Sequence, residues 1–261
     1  MLNRRALSNL GSHVYGLAAI ALGLIGLVWG DLPTVWWPIQ TLGTVPHRSA
    51  LAYIVAVLLL LGGAAIQWRR TARAGVVALT ILYFIAASLW LPRVVGFPRI
   101  YGTWAGFIEQ FSLVPAGLII YASLAPPNTL WAIRTVKVVR YLYGICVVSF
   151  GLAHFFALSG TASMVPNWLP PGQQFWAITT GVAFLLAALA MVSGIRGVLA
   201  SRLLTAMLIT FGALVWAPSL FAHPAEHMIW AGNAINLALT GAAWTVADSI
   251  SEAATNEEAK A

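Results

Sequence analysis

The sequence predicts an all-α integral membrane protein with eight transmembrane helices, arranged as two parallel-oriented four-helix repeats. Of its 261 residues, 60% are hydrophobic and only 8% are charged, about a third of the charge of an average soluble domain. A chain with so few charges cannot cover itself with polar surface in water. Apolar runs such as 15–28 and 51–66 are typical of helices that cross the hydrocarbon, which takes about 20 residues.

The spans follow from windows of about 20 apolar residues. Four of them form a first repeat (1–125) and four form a second (138–248), with a cytoplasmic linker at 126–137 between the repeats. The polar run 249–261 predicts a disordered cytoplasmic tail. The eight predicted spans are 13–30, 49–67, 75–95, 104–124, 138–158, 174–193, 203–221 and 228–248.

The loops between these spans differ in charge. Eight crossings place eleven basic residues on one side and three on the other. By the positive-inside rule, both termini are cytoplasmic, as expected for a multi-pass protein of the bacterial inner membrane. The net charge of +7 is therefore a topology signal, and we expect the lipid bilayer, not nucleic acid, as the partner. The eleven are Arg4, Arg5, Arg69, Arg70, Arg73, Arg134, Lys137, Arg140, Arg196, Arg202 and Lys260, and the three are Arg48, Arg93 and Arg99.

Matching segments indicate a tandem duplication. Because each repeat has an even number of spans, the copies enter the membrane in the same direction, related by an axis along the membrane normal. An arginine pair before an apolar run can also mark a cleaved signal peptide, but the first span has a later copy and is assigned to the fold. The matches are Gly16, Gly23 and Pro38 with Gly144, Gly151 and Pro166, "LWLPRVVGFP" (89–98) with "VWAPSLFAHP" (215–224), and "WAG" at Trp104 and Trp230.

One polar stretch, "HPAEH" (223–227), spells the H-x-x-E-H pattern of a class of zinc hydrolases. The pattern binds metal only where a helix turns both imidazoles and the carboxylate toward one point. In the repeat alignment it corresponds to 97–101, a short outer loop, and Pro224 leaves little room for a regular helix. We therefore expect a solvated loop and no metal site.

Several kinds of redox site are excluded. The single cysteine, Cys146, cannot form the pair that thiol-disulfide exchange requires. A haem held between spans needs two imidazoles at one depth, but His13 lies near the inner end of its span and His154 near the outer end of its own. No covalently bound cofactor is expected.

The segment "GLAHFFALSGTASMVPNWLPPGQQFWAITTGVAFLLAALAMVSG" (151–194) resembles the DoxX-like family of small four-helix membrane proteins. In that family a Gly-x-x-His near the outer end of the first helix precedes a Val-Pro-x-Trp-Leu-Pro loop. In the first repeat Gly26 replaces the histidine, and "WWPIQTLGTVP" (36–46) is only partly similar to the loop. The resemblance implies a membrane partner in redox chemistry, such as a subunit of a quinone-linked oxidoreductase. The matching positions are Gly151, His154, Val165, Pro166, Trp168, Leu169 and Pro170.

Ionisable residues inside spans are costly in lipid and are default functional candidates. Glu109 and His154 lie near the outer ends of consecutive spans, share faces with small residues, and are replaced by Ile235 and Gly26 in the other repeat. We expect the two to face each other in a cavity open toward the outer leaflet. Gln110 aligns with Asn236, which indicates a structural pair of amides between helices.

The wider set of ligand-binding candidates, with quinone as the expected ligand, is Glu109, His154, Gln110, Asn233, Asn236, Arg93 and Trp104.

Three functions are compatible with these features. The first is a membrane subunit of a redox complex that anchors a partner oxidoreductase and offers a quinone site near the outer leaflet, with electrons coming from another subunit. The second is a non-catalytic protein that holds a partner through its outer loops or tail. The third, a small-solute transporter, ranks lower because the sequence shows no matched pair of interrupted helices near the midplane.

Overall fold

The computed structural model describes residues 10–33, 46–126 and 129–258, and no strand occurs in these ranges. Residues Arg4, Arg5 and Lys260, and most of the 36–46 loop, lie outside them. The helices are α1 (Leu10–Trp29), α2 (Arg48–Ile66), α3 (Ala72–Ser88), α4 (Leu91–Gly96), α5 (Tyr101–Phe111), α6 (Leu113–Ser123), α7 (Leu130–Phe156), α8 (Leu158–Met164), α9 (Gln173–Ser193), α10 (Gly197–Phe211), α11 (Ala217–Ala222) and α12 (His227–Glu258).

Seven helical segments of the described chain are long and apolar enough to cross a membrane, and each overlaps one of the first seven predicted spans. They confirm an all-α chain with several membrane-spanning helices, which indicates a multi-pass membrane protein. The number eight and the repeat remain predictions. The segments are Leu10–Trp29, Arg48–Ile66, Ala72–Gly96, Tyr101–Ser123, Leu130–Phe156, Gln173–Ser193 and Gly197–Ala222.

The last helix, α12, is not among these seven. It carries several polar residues, and Asn236, Thr240 and Thr245 are all buried inside the bundle. The Thr240 hydroxyl donates to the Asn236 carbonyl at 2.8 Å, so the helix satisfies part of its own polarity. A helix of this kind is held among other helices and presents little surface to lipid.

Helices α1 and α12 pack against each other with their backbones in contact. A Cβ at Gly11 would lie 2.4 Å from the Thr245 nitrogen, and one at Gly241 would lie 2.4 Å from the Tyr15 nitrogen. Small residues allow this approach, the usual way in which helices associate in lipid. Near the other end of the pair, the Trp29 ring stacks on His227 at 5.3 Å. The two helices are therefore antiparallel and paired along the whole of α1.

Prolines mark two interruptions in the helices. Pro92 and Pro218 lie in the first turns of α4 and α11, after the turn at Leu89–Trp90 and the π-helical turn at Gly212–Trp216. These interruptions fall at aligned positions in the two halves, and the expectation that no matched pair lies near the midplane stays a prediction. Each proline lacks the N–H that would continue the helical hydrogen bonding. Each interruption lies about five residues past the middle of its span, on the C-terminal side.

Two predicted boundaries differ from the structure. Helix α7 begins at Leu130 and includes most of the predicted 126–137 linker. Helix α12 continues through 249–258, part of the predicted disordered tail. In that extension Ser249 and Ile250 are 8% and 6% exposed. Apolar contact with the bundle keeps this polar segment helical.

Candidate functional site

The two halves of the chain, α1–α6 and α7–α12, meet at two junctions, one between α1 and α12 and the other where α5 lies beside α7. The Tyr101 ring stacks on Phe156 with centroids 4.9 Å apart. Its hydroxyl donates to the Ser149 carbonyl and lies 2.8 Å from the Ser149 hydroxyl oxygen. We call this contact, made by Tyr101, Ser149 and Phe156, the seam. It joins the halves by an aromatic stack and a hydrogen bond.

Glu109 lies at the edge of the seam. It follows Tyr101 by eight residues, which in a helix is ~12 Å along the axis and about 80° around it. The side chain is half-buried. Among the described residues, Gln110 alone donates a side-chain hydrogen bond to its carboxyl group, at 3.1 Å. A carboxyl group so placed is within a span, yet still accessible from one side.

Gln110 is completely buried, and its Oε1 accepts no hydrogen bond from the described residues. Leaving a buried acceptor without a donor costs about 1–3 kcal/mol. The side chain points away from the seam, since nine residues turn a helix by about 180° from Tyr101. Two polar side chains therefore sit next to each other, one enclosed in the bundle and the other half-buried.

The helix breaks directly after this pair. The Ser112 hydroxyl donates to the Glu109 carbonyl at 2.8 Å, and α6 begins at Leu113. Pro115 cannot donate to the Phe111 carbonyl, which makes the helix locally irregular. The Tyr15 hydroxyl, from α1, donates to the Leu113 carbonyl at 3.0 Å. The break is thus fixed by polar contacts inside the first half.

His154 does not lie with Glu109. Its Nδ1 donates to the Phe150 carbonyl at 2.9 Å, and its ring is 5.3 Å from that of Phe184 on α9. Its Cβ would be 2.7 Å from a Cβ at Gly181, also on α9. On α7 it is turned about 140° from Ser149. The imidazole therefore faces α9 within the second half of the chain, away from the seam.

The two ionisable residues also differ in depth. Tyr101 contacts both Ser149 and Phe156, so His154, between them in the chain, lies near the level of Tyr101. Glu109 is ~12 Å farther along its helix. Among the described residues, the hydrogen bond and ring contact of His154 are with Phe150 and α9, and the side-chain hydrogen bond of Glu109 is with Gln110. These contacts do not support the expected pairing, which stays a prediction.

The other four predicted site residues make their contacts away from Glu109. Arg93 lies over the Phe97 ring at 5.6 Å, and Trp104 donates to the Pro98 carbonyl at 3.0 Å. Asn233 donates to the carbonyl four residues before it, and buried Asn236 donates to Leu208 on α10 at 3.4 Å. Asn236 therefore links two helices, as predicted, whereas its aligned partner Gln110 bonds within α5. These contacts do not bring the four residues to Glu109.

A repeated contact that the sequence analysis missed fixes the first turns of three helices. Each of three indole Nε1 groups donates to the carbonyl of the proline six residues before it, at 2.9–3.0 Å. The signal was present as a proline followed six residues later by tryptophan. It gives these three tryptophans a role in the fold that needs no ligand. The pairs are Trp104 with Pro98, Trp176 with Pro170, and Trp230 with Pro224.

The HPAEH segment is only partly a loop. His223 and Glu226 form an exposed pair at 3.1 Å, as expected for solvated residues. His227, however, is the first residue of α12, and its ring stacks on Trp29 near the ion pair between Asp31 and Arg48. Its alignment with Tyr101, which also stacks, could have predicted this. The described residues hold no cluster of three His, Cys, Asp or Glu side chains able to bind a metal.

Comparisons with known proteins add no relative. No protein-family model, no curated protein and no solved structure matches the chain. The functional argument therefore rests on the residues and contacts described above.

Proposed function

We propose that this chain is a membrane subunit of a redox complex that binds a quinone at the edge of the seam, with Glu109 as the principal polar contact. The proposal includes the resemblance to the DoxX-like family and a partner subunit that carries the redox centre. The observation on which it depends is the half-buried carboxyl group within a span, beside the junction of the two halves.

The architecture in this proposal has eight crossings. Helix α12 lies antiparallel to α1 along the full length of α1, from Thr245 beside Gly11 to His227 on Trp29. Because α1 is long and apolar enough to span the membrane, a helix paired with it over that length crosses the membrane as well. The start of α1 and the end of α12 then lie at the arginine-rich end, which the positive-inside rule assigns to the cytoplasm.

Local geometry supports the duplication. The indoles of Trp90 and Trp216 occupy the space beside Gly106 and Gly232, where a Cβ would lie 2.5 and 2.2 Å from each ring. The residues that end α4 and α11 adopt nearly the same conformation, with φ of −134° at both. The stack of Tyr101 on Phe156 at one junction of the halves corresponds to that of His227 on Trp29 at the other.

Glu109 breaks this symmetry. The aligned residue at the other junction is Ile235, an apolar side chain only 4% exposed. An isoleucine there packs without polar cost, whereas a carboxyl group within a span costs free energy and is usually functional. The difference favours a role for Glu109 that the second junction does not share.

The chemistry of a quinone suits this position. A quinone carbonyl accepts hydrogen bonds, a quinol hydroxyl donates one, and oxidation of the quinol releases two protons with two electrons. When ionised, the Glu109 carboxyl group can bind the hydroxyl and accept one of the two protons, and the second would pass to water. The electrons must pass to the partner's redox centre. The apolar quinone ring and tail would lie in the lipid at the seam edge.

The binding experiment uses purified protein in nanodiscs and a benzoquinone with a decyl tail. Glu109→Gln keeps the shape but removes the carboxyl group, and we expect binding to weaken about tenfold or more, because hydrogen bonds to charged groups contribute about 1.5–3 kcal/mol. Glu226→Gln is the matched control, since it makes the same change at an exposed position and should leave binding unchanged.

Folding of each variant is checked by size-exclusion chromatography and circular dichroism. Absence of saturable binding to the unaltered protein would refute a quinone site. Equal affinity of a folded Glu109→Gln variant would refute the role of Glu109. Mass spectrometry of the complex isolated in mild detergent tests the rest of the proposal, which expects a co-purifying redox subunit.

A second function, non-catalytic docking of a partner, is favoured by large apolar side chains at the outer end. Phe221 is 88% exposed, and Trp168 and Phe156 are each 69% exposed. A partner that co-purifies but has no redox centre would favour it over the quinone site. A transporter ranks below both, because the Trp90 and Trp216 indoles pack beside the paired interruptions and fill the space there.

A further inference from the structure

A cavity of about 370 Å³ lies at the arginine-rich end of the bundle, far from Glu109. Its volume is within the range of about 300–1,000 Å³ that is usual for ligand sites. Its walls come from three regions: α7, the turn between α9 and α10, and the last part of α12. Arg140, Met191, Arg196, Gly197, Ile250 and Ala254 line it.

Two guanidinium groups at this cavity have no counter-ion among the residues that the structure describes. Arg140 is half-buried, and its Nε is enclosed and makes no hydrogen bond with them. Within the same ranges, no carboxylate forms an ion pair with Arg140 or Arg196, and the nearby Asp248 pairs with Arg202 at 2.7 Å. Arg140 lies over the Tyr141 ring at 5.5 Å, but a partly desolvated cation without a counter-ion is still costly; Arg196 is exposed. An anion bound in the cavity would satisfy both arginines.

The first turn of α10 adds to the positive potential. Arg196 precedes the helix in the left-handed conformation, with φ of 53°, and no side chain of the described residues caps the helix. The free N–H groups of a helix start, with the helix dipole, favour negative charge. Gly197 and Val198, the first two residues of α10, both line the cavity.

The surroundings indicate which anion binds. Ile195, next to Arg196 in the chain, is 73% exposed, and Val198, which lines the cavity, is 37% exposed. In a bilayer such surfaces contact acyl chains. A ligand with a phosphate for the arginines and apolar chains for these faces matches both features, whereas a free phosphate matches only the first.

We propose that this cavity binds the phosphate of an anionic phospholipid in the leaflet at the arginine-rich end. The net negative headgroup is favoured over a zwitterionic one, because the ammonium of a zwitterion would be repelled by Arg140 and Arg196. Basic pockets between membrane helices are suited to this recognition. The site is independent of the quinone proposal and of Glu109.

The test is native mass spectrometry of delipidated protein titrated with phosphatidylglycerol, phosphatidylcholine or inorganic phosphate. We expect phosphatidylglycerol to bind at least tenfold more tightly than phosphatidylcholine. The double variant Arg140→Gln, Arg196→Gln should lose this preference. The matched control is Arg69→Gln with Arg70→Gln, which removes two exposed arginines from the same end and should change the affinity less than twofold.

Folding is checked for every variant, and Arg196→Gln alone, at an exposed position, gives a second test if the double variant is unstable. It should lower phosphatidylglycerol affinity severalfold. Equal binding of the two lipids, or no effect of Arg196→Gln, would overturn the proposal. Competition by inorganic phosphate at concentrations as low as those of the lipid would also overturn it, since the site would then bind a soluble anion.

Discussion

Replacing Gly241 by alanine tests the packing of the first helix against the last. A Cβ at this position would lie 2.4 Å from the Tyr15 nitrogen and 2.7 Å from the Tyr15 Cα. Ordinary van der Waals contact begins at 3.4 Å, so the added methyl group is 1.0 Å too close to backbone atoms that cannot rotate away. The two helices must move apart.

The free-energy cost of this substitution comes from the separation of α1 and α12. A gap of about 0.5–1 Å forfeits a quarter to a half of the dispersion energy between facing atoms, and overpacking typically destabilises by about 1–3 kcal/mol. Tyr15 would also shift from the Leu113 carbonyl, 3.0 Å away, and from the edge of the Tyr83 ring. We expect Gly241→Ala to lower stability by about 1–3 kcal/mol.

Gly102→Ala is the matched control, because it makes the same substitution in α5 where no atom lies within 4 Å of the added Cβ. Alanine is favoured over glycine in helices by up to about 1 kcal/mol, so this variant should be as stable as the unaltered protein or more stable. Thermal unfolding in one detergent, followed by circular dichroism, compares the variants. The close contact of α1 with α12 would be refuted if Gly241→Ala left the protein stable while Gly102→Ala lowered its stability.

Two further predictions concern topology and the HPAEH segment. In a Cys146→Ser background, a membrane-impermeant thiol reagent should label a cysteine at Thr161 from outside and one at Thr71 only after permeabilisation; the reverse pattern would contradict the orientation. His227→Ala should destabilise by about 0.5–1.5 kcal/mol because its ring no longer stacks on Trp29, and His223→Ala by less than about 0.5 kcal/mol. Elemental analysis should find no stoichiometric zinc, and zinc that disappears on changing both histidines would contradict this.

The sequence predicts the membrane-crossing parts of the helices well and their ends less well. Apolar windows report contact with hydrocarbon, so the predicted span 174–193 differs from α9 by one residue. They do not report where a helix stops. Helix α7 begins eight residues before its predicted span because Arg134 and Lys137 continue the helical hydrogen bonding beyond the apolar run.

The candidate site was predicted only in part. The small-residue face of His154 does point into the bundle, since Gly151 packs closely against Leu185 on α9. A single sequence cannot say which neighbouring helix an inward face meets, and this face meets α9 instead of α5. The identification of Glu109 as a residue that breaks the alignment depends on the chain alone, and its role stays a prediction.

Photoaffinity labelling with an azido-quinone tests the central claim most directly. The protein is labelled in nanodiscs, digested, and mapped by mass spectrometry. We predict adducts on α5 between Tyr101 and Phe111 and on the facing part of α7, and none above background at the other junction, where Ile235 replaces Glu109. Equal labelling of the junction of α1 with α12, or labelling of neither, would contradict a quinone site at the seam.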